Sequence, residues 1–143
     1  MTIENHVVSV NLAKRLKELS VPQNSIYYWT IYCEQCREHY YPNMDKNSES
    51  FTSLQQGENH GDNYSAYLAT ELLQWIPNEI SYDDKCHALN IENQGSQWAV
   101  YYRQFLNDQF VPCCRTGENI QNTLGEIIIN LIENKIIKVE DLK

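Results

Sequence analysis

The chain has 143 residues, which suits one domain of the commonest size spanning 1–143. Nineteen acidic residues against 11 basic ones leave a net charge of −8, which argues against a phosphate-backbone binder, because non-specific nucleic-acid affinity comes from Lys and Arg. Residues 1–10 show neither a basic n-region nor an apolar h-region, no run approaches the roughly 18 apolar residues of a membrane span, and the five cysteines do not make a fully paired secreted framework. Reduced thiols in a cytoplasmic, membrane-free chain are the expectation.

In chain order, Ser9 or Asn11 caps a first helix running to about Leu19, with Leu12, Leu16 and Leu19 on one face and Pro22 as its stop. Ser25 to Tyr32 is aromatic and β-branched and reads as the best strand. The stretch 41–63 then changes composition to Asn, Ser, Gln, Glu, Gly and Asp. It is too long for an ordinary connection and predicts a polar insert, a mobile hairpin arm or loop.

A second helix is capped by Ser65, carries Ala66, Ala69, Leu72, Leu73 and Ile76 as its apolar stripe, and ends at Pro77. After a polar turn, residues 87–92 and 97–103 predict a hairpin with Leu89 and Ile91 facing Trp98, Val100 and Tyr102. The last helix starts near Thr116 to Asn119, carries Ile120, Leu124, Ile127, Ile128 and Leu131, and breaks at Asn134 in a left-handed cap. Ile136, Ile137 and Val139 then read as a short extended tail. The fold class is α+β: a small, mostly antiparallel sheet with three helices packed on one face and the polar arm beside it.

Chemistry is sparse in this sequence. The most specific local pattern is Cys33-x-x-Cys36-x-x-His39, two thiolates and an imidazole spaced for one tetrahedral zinc. A fourth ligand has to come from Cys86, His87, Cys113, Cys114 or His60, and the usual second ligand pair is missing. A redox role needs the pair at a helix N-terminus after a strand, whereas Cys33 and Cys36 read as a strand running on into a polar loop. There is no nucleophile elbow, phosphate loop, zinc-protease helix or dinucleotide fingerprint, and His39 and His87 read as surface or edge residues. A non-enzymatic binding protein is therefore expected.

The aromatic residues are the stronger lead, with Tyr alone present in 10 copies. Tyr28, Trp29, Arg37, Tyr40, Trp98, Tyr102 and Arg103 form a candidate ligand-binding set, since rings on strands beside an Arg can stack on a planar ligand. The competing reading is core on one face and an oligomer contact on the other.

Residues 8–19 and 21–29, the stretch Tyr64 to Pro77, the strand Trp98 to Tyr102 and the closing Gly125 to Ile137 together resemble small uncharacterised proteins encoded by phages, prophages and other mobile elements. The long segment from Cys33 to Asn63, with the cysteine pair inside it, departs from that pattern. The resemblance implies a fold and a bacterial host's cytoplasm as the setting. It points to capture of a host protein or a small nucleotide-like ligand, counter-defence included, while the aromatic faces predict a homo-oligomer. A zinc-stabilised adaptor built on Cys33, Cys36 and His39 is the alternative, and an enzyme of unassigned reaction the third reading.

Overall fold

The computed structural model describes residues 2–45, 49–53, 61–104 and 110–142, with side chains from 113 onward in the last stretch. After a 3-10 turn at Ile3–His6, helix α1 spans Val10–Glu18. Ser9 is its N-cap: the Ser9 Oγ accepts from the Leu12 N–H, while the Ser9 N–H donates to Asn122 Oδ1 at 2.8 Å. Ala13 and Leu16 face inward. The helix ends before Pro22, where Ser20 turns left-handed at φ 64° and the Val21 N–H reaches back to Leu16 O at 3.0 Å.

Strand β1 (Tyr28–Tyr32) follows, shorter than the apolar run suggested because Ser25 and Ile26 are held elsewhere. Glu71 accepts from the Ile26 N–H (3.1 Å), the Ser25 hydroxyl (2.8 Å) and the Leu68 N–H (2.7 Å). One carboxylate thus ties the entry of β1 to the start of helix α3 (Ala69–Leu73). That helix begins three residues later than expected. Ser65 is the last residue of a strand, opposite Tyr28, and Leu68 takes the cap position instead. Leu73, placed in the buried stripe by its spacing, is 40% exposed because so short a helix turns only one narrow face to the core.

Helix α2 (Glu34–Tyr40) lies between β1 and the polar insert, where no helix was expected. Within the insert, strands β2 (Glu49–Thr52) and β3 (Gly61–Ser65) are described, while 46–48 and 54–60 lie outside the described residues. The two strands do not pair with each other as a free-standing hairpin arm. Each pairs antiparallel with one edge of β1, giving a sheet of order β2-β1-β3 in which Trp29 is level with both Phe51 and Tyr64.

The second sheet is a four-stranded antiparallel meander of β4 (Glu79–Tyr82), β5 (Lys85–Asn93), β6 (Trp98–Gln104) and β7 (Phe110–Gly117). The expected hairpin is its centre, with Leu89 opposite Tyr102 and Ile91 opposite Val100. The polar turn is in fact the tip of another hairpin. Asp83 and Asp84 sit at φ 53° and 57°, the two left-handed positions that join β4 to β5 in a tight two-residue loop.

Helix α4 (Ile120–Glu133) is capped by Asn119, whose side chain accepts from the Asn122 N–H at 3.0 Å. It packs on β6, β7, α1 and α3 through Leu124, Ile127, Ile128 and Leu131, all fully buried. At its end the left-handed residue is Lys135 (φ 57°) and not Asn134, and the Ile136 N–H closes onto Leu131 O at 2.9 Å. The tail is not extended: Ile136, Ile137 and Val139 pack back on the core, and Val139–Asp141 forms a 3-10 turn. The α+β class stands, with the expected sheet divided in two.

Candidate functional site

The chain leaves β1 at Tyr32 and enters α2 through Cys33, which is extended (φ −62°, ψ 158°) and serves as the helix N-cap. Its sulfur accepts from the Cys36 N–H at 3.4 Å. Glu34 stands in the first turn and Arg37 and His39 in the last, the order of charge that a helix favours. This corrects the reading of the cysteine pair as a strand running into a loop. The polar composition of residues 34–39 hid a run of good helix formers, Glu34, Gln35, Arg37 and Glu38.

Gly61 holds the corner from behind. At φ +124° it lies opposite Tyr32, and a Cβ there would stand 1.9 Å from Ile31 O and 2.8 Å from Cys33 N. Only glycine allows the backbone that leads into Cys33 to come so close.

The two thiols act on one another. Hydrogen bonds from the Cys36 N–H and then from the Cys36 thiol push the Cys33 thiol below its ordinary value. Cys36, as donor to Cys33, is pushed up. Beside them the rings of Tyr32 and Tyr41 lie 5.0 Å apart. The Tyr41 hydroxyl is raised, first by its hydrogen bond with Tyr32, with charge at Cys36 contributing. His39 meets the Tyr40 ring edge-on at 4.5 Å. Tyr40 is 63% exposed and Tyr41 44%, and α2 buries none of its own residues.

Among the described residues no three of His, Cys, Asp and Glu converge as a metal set, so Cys33, Cys36 and His39 are not drawn together as three ligands. The proposed fourth ligands are dispersed. Cys113 is fully buried, the Cys86 thiol faces Glu79 Oε2 at 3.6 Å, Cys114 is exposed on β7, and His60 lies outside the described residues. His87 is not a surface residue. It is buried, its Nδ1 3.1 Å from Lys85 O.

The structure distributes the candidate ligand-binding residues over two sheets and a helix. Tyr28 and Trp29 are in β1, Arg37 and Tyr40 in α2, and Trp98, Tyr102 and Arg103 in β6. Two of them are committed to the fold. The Trp29 indole N–H donates to Val8 O at 2.9 Å, and the fully buried Tyr102 donates its hydroxyl to Pro77 O at 2.6 Å. Tyr28, Trp98 and Arg103 are half-buried on strands. Tyr40 and Arg37 are at the corner beside Tyr32 and Tyr41, whose contact depends on the turn through α2.

Elsewhere, a concavity of about 540 Å³ opens between Trp75 and Pro77 after α3 and the segment from Lys135 to Leu142 after α4. Nothing in the sequence pattern singled it out, because it is made where two helix ends meet.

The corner at β1 and α2 thus defines a class of site: an exposed aromatic surface beside two half-buried thiols on a small α+β scaffold. No family model, curated protein or solved structure matches this chain. Among the described residues no helix is long and apolar enough to cross a membrane.

Proposed function

We propose that this chain is a partner-binding protein of phage or mobile-element type that engages a host protein, in the bacterial cytoplasm, through the corner formed by Tyr32, Tyr40 and Tyr41. The observation that carries this reading is that α2 buries none of its residues and yet ends in Tyr40 and Tyr41, among the most exposed large hydrophobic side chains described. A surface helix is ordinarily held by an apolar face turned to the core. Here the aromatic area is turned outward, with Arg37 on the same helix. Tyr and Arg are the residues that interfaces concentrate and that carry most of their binding energy.

The shape of the corner favours a protein over a small planar ligand. Small-molecule sites are concave and enclose most of their ligand, whereas Tyr40 stands on an open helix end. The resemblance of the opening, middle and closing segments to phage-encoded proteins supports a host-directed partner, counter-defence included.

The test is affinity purification from a bacterial host with the wild-type chain and the Tyr40→Ala/Tyr41→Ala variant, followed by titration of the purified partner. The expected result is a defined complex whose Kd weakens about tenfold or more in the variant. Equal affinity for both chains overturns the assignment of the corner. A melting temperature raised by a nucleotide panel without any protein partner, or self-association through Tyr40 and Tyr41, replaces it with ligand capture or with a homo-oligomer contact.

A further inference from the structure

The five cysteines divide by surroundings into three that stand apart and two that face each other. Burial pushes the Cys113 thiol up, and Cys86 is pushed up by burial and then by the Glu79 carboxylate. Both are poor nucleophiles for that reason. Cys114 is exposed on β7 with its backbone O accepting from Arg115. Cys33 and Cys36 are both half-buried, with the Cys36 N–H on the Cys33 sulfur at 3.4 Å and the two thiols hydrogen-bonded. A three-residue step into a helix keeps two Cα atoms within the roughly 4.4–6.8 Å that a disulfide spans. The helix itself is seven residues long, so its dipole is not what activates the pair. Each sulfur acts on the other.

We propose that Cys33 and Cys36 form a dithiol couple that exchanges with accessible external disulfides and closes into an intramolecular disulfide. Cys33 is the attacking sulfur and Cys36 the resolving one. The Cys33 thiolate attacks one sulfur of the external disulfide, forming a mixed disulfide and releasing the other half as a thiolate. Cys36 then gives up its proton and attacks the Cys33 sulfur. The Cys33–Cys36 bond forms, the mixed disulfide breaks, and the second thiolate leaves. Two electrons pass from the dithiol to the external disulfide, and the two thiol protons pass to solvent or to the released thiolates.

The division of labour follows from the hydrogen bonds. Negative charge on Cys33 is held by the Cys36 N–H and thiol, whereas Cys36 keeps its proton until Cys33 is spent. Access follows from α2 lying outside the core, with none of its residues buried. The exchange requires no partner at Tyr40 and Tyr41.

The test uses the full chain, reduced and then equilibrated with graded ratios of oxidised to reduced glutathione, quenched in acid, alkylated and mapped by mass spectrometry. A disulfide-bonded peptide in place of glutathione distinguishes a protein disulfide from a small one as the preferred substrate. The expected result is a Cys33–Cys36 linkage formed while Cys113 stays reduced. In Cys36→Ser a mixed disulfide accumulates on Cys33, formed about tenfold or more faster than at Cys114. In the wild-type chain, alkylation of Cys33 rises through a pH below the ordinary thiol range of about 8.5. Absence of the Cys33–Cys36 linkage at every ratio overturns the proposal, and that measurement needs no variant to fold. Modification of Cys33 in Cys36→Ser no faster than at Cys114 also overturns it.

Discussion

Lys135 illustrates how single residues close this fold at a cost. It occupies the left-handed position after α4, where the Ile136 N–H bonds back to Leu131 O, and Ser20 does the same after α1. An L-residue with a Cβ pays roughly 1–2 kcal/mol for that conformation, and glycine gives back part of the gain through its more flexible unfolded chain. Lys135→Gly is therefore expected to stabilise the chain by about 0.5–1 kcal/mol, read as a higher urea midpoint at unchanged slope. A lower midpoint would mean that the lysine side chain makes a contact outweighing its backbone strain.

Among the elements, β1 and β3 depend on each other at Gly61. A methyl group there collides with Ile31 O, a backbone atom that cannot swing aside, and crowds Cys33 N. Gly61→Ala is expected to lower stability by more than about 1 kcal/mol, through both the clash and the positive φ. Because the same contact sets where Cys33 leaves β1, Cys33 alkylation should slow in that variant while Cys114 alkylation does not change. Loss of stability with Cys33 reactivity intact would show that α2 holds its own geometry without β3.

At the level of the whole molecule, two tyrosines anchor the core by their hydroxyls. Tyr102 donates to Pro77 O and Tyr67 to Pro22 O, and burial pushes both phenols far above their ordinary range. The folded chain therefore holds these protons more tightly than the unfolded chain does. The stability they contribute is full below about pH 10, the range of a free phenol, and is lost as the pH rises towards their folded values. Denaturant midpoints measured from pH 8 to 11 should be level at first and then fall. Tyr102→Phe is expected to cost about 1–2 kcal/mol at pH 8, because Pro77 O loses its donor, and to make the alkaline fall shallower. An unchanged alkaline fall in Tyr102→Phe would assign it to other groups.

Local pattern was enough for α1, the β5–β6 hairpin and α4, because each announces itself within a few residues. Ser9 and Asn119 are caps, the leucines and isoleucines of α4 recur at helical spacing, and Leu89 and Ile91 alternate opposite Val100 and Tyr102. The α+β class follows from those same periods of 3.6 and 2. The insert's strands, β4, β7 and α2 were not legible in this way. Glu49–Thr52 and Gly61–Ser65 are polar and become strands by pairing with β1, a long-range partner that composition does not reveal. The candidate site was half legible for the same reason. Cys33, Cys36, Arg37 and Tyr40 stood out as residue types, but their mutual geometry rests on a capping sulfur, on Gly61 against the backbone of Ile31, and on Tyr41 meeting Tyr32. Short-range periodicity thus decides which segments are helix or strand when each can satisfy its own backbone or bury its own stripe. Which rings are spent in the core, as Trp29 and Tyr102 are, and which are left outside, as Tyr40 is, depends on contacts between distant segments, and only the tertiary structure decides those.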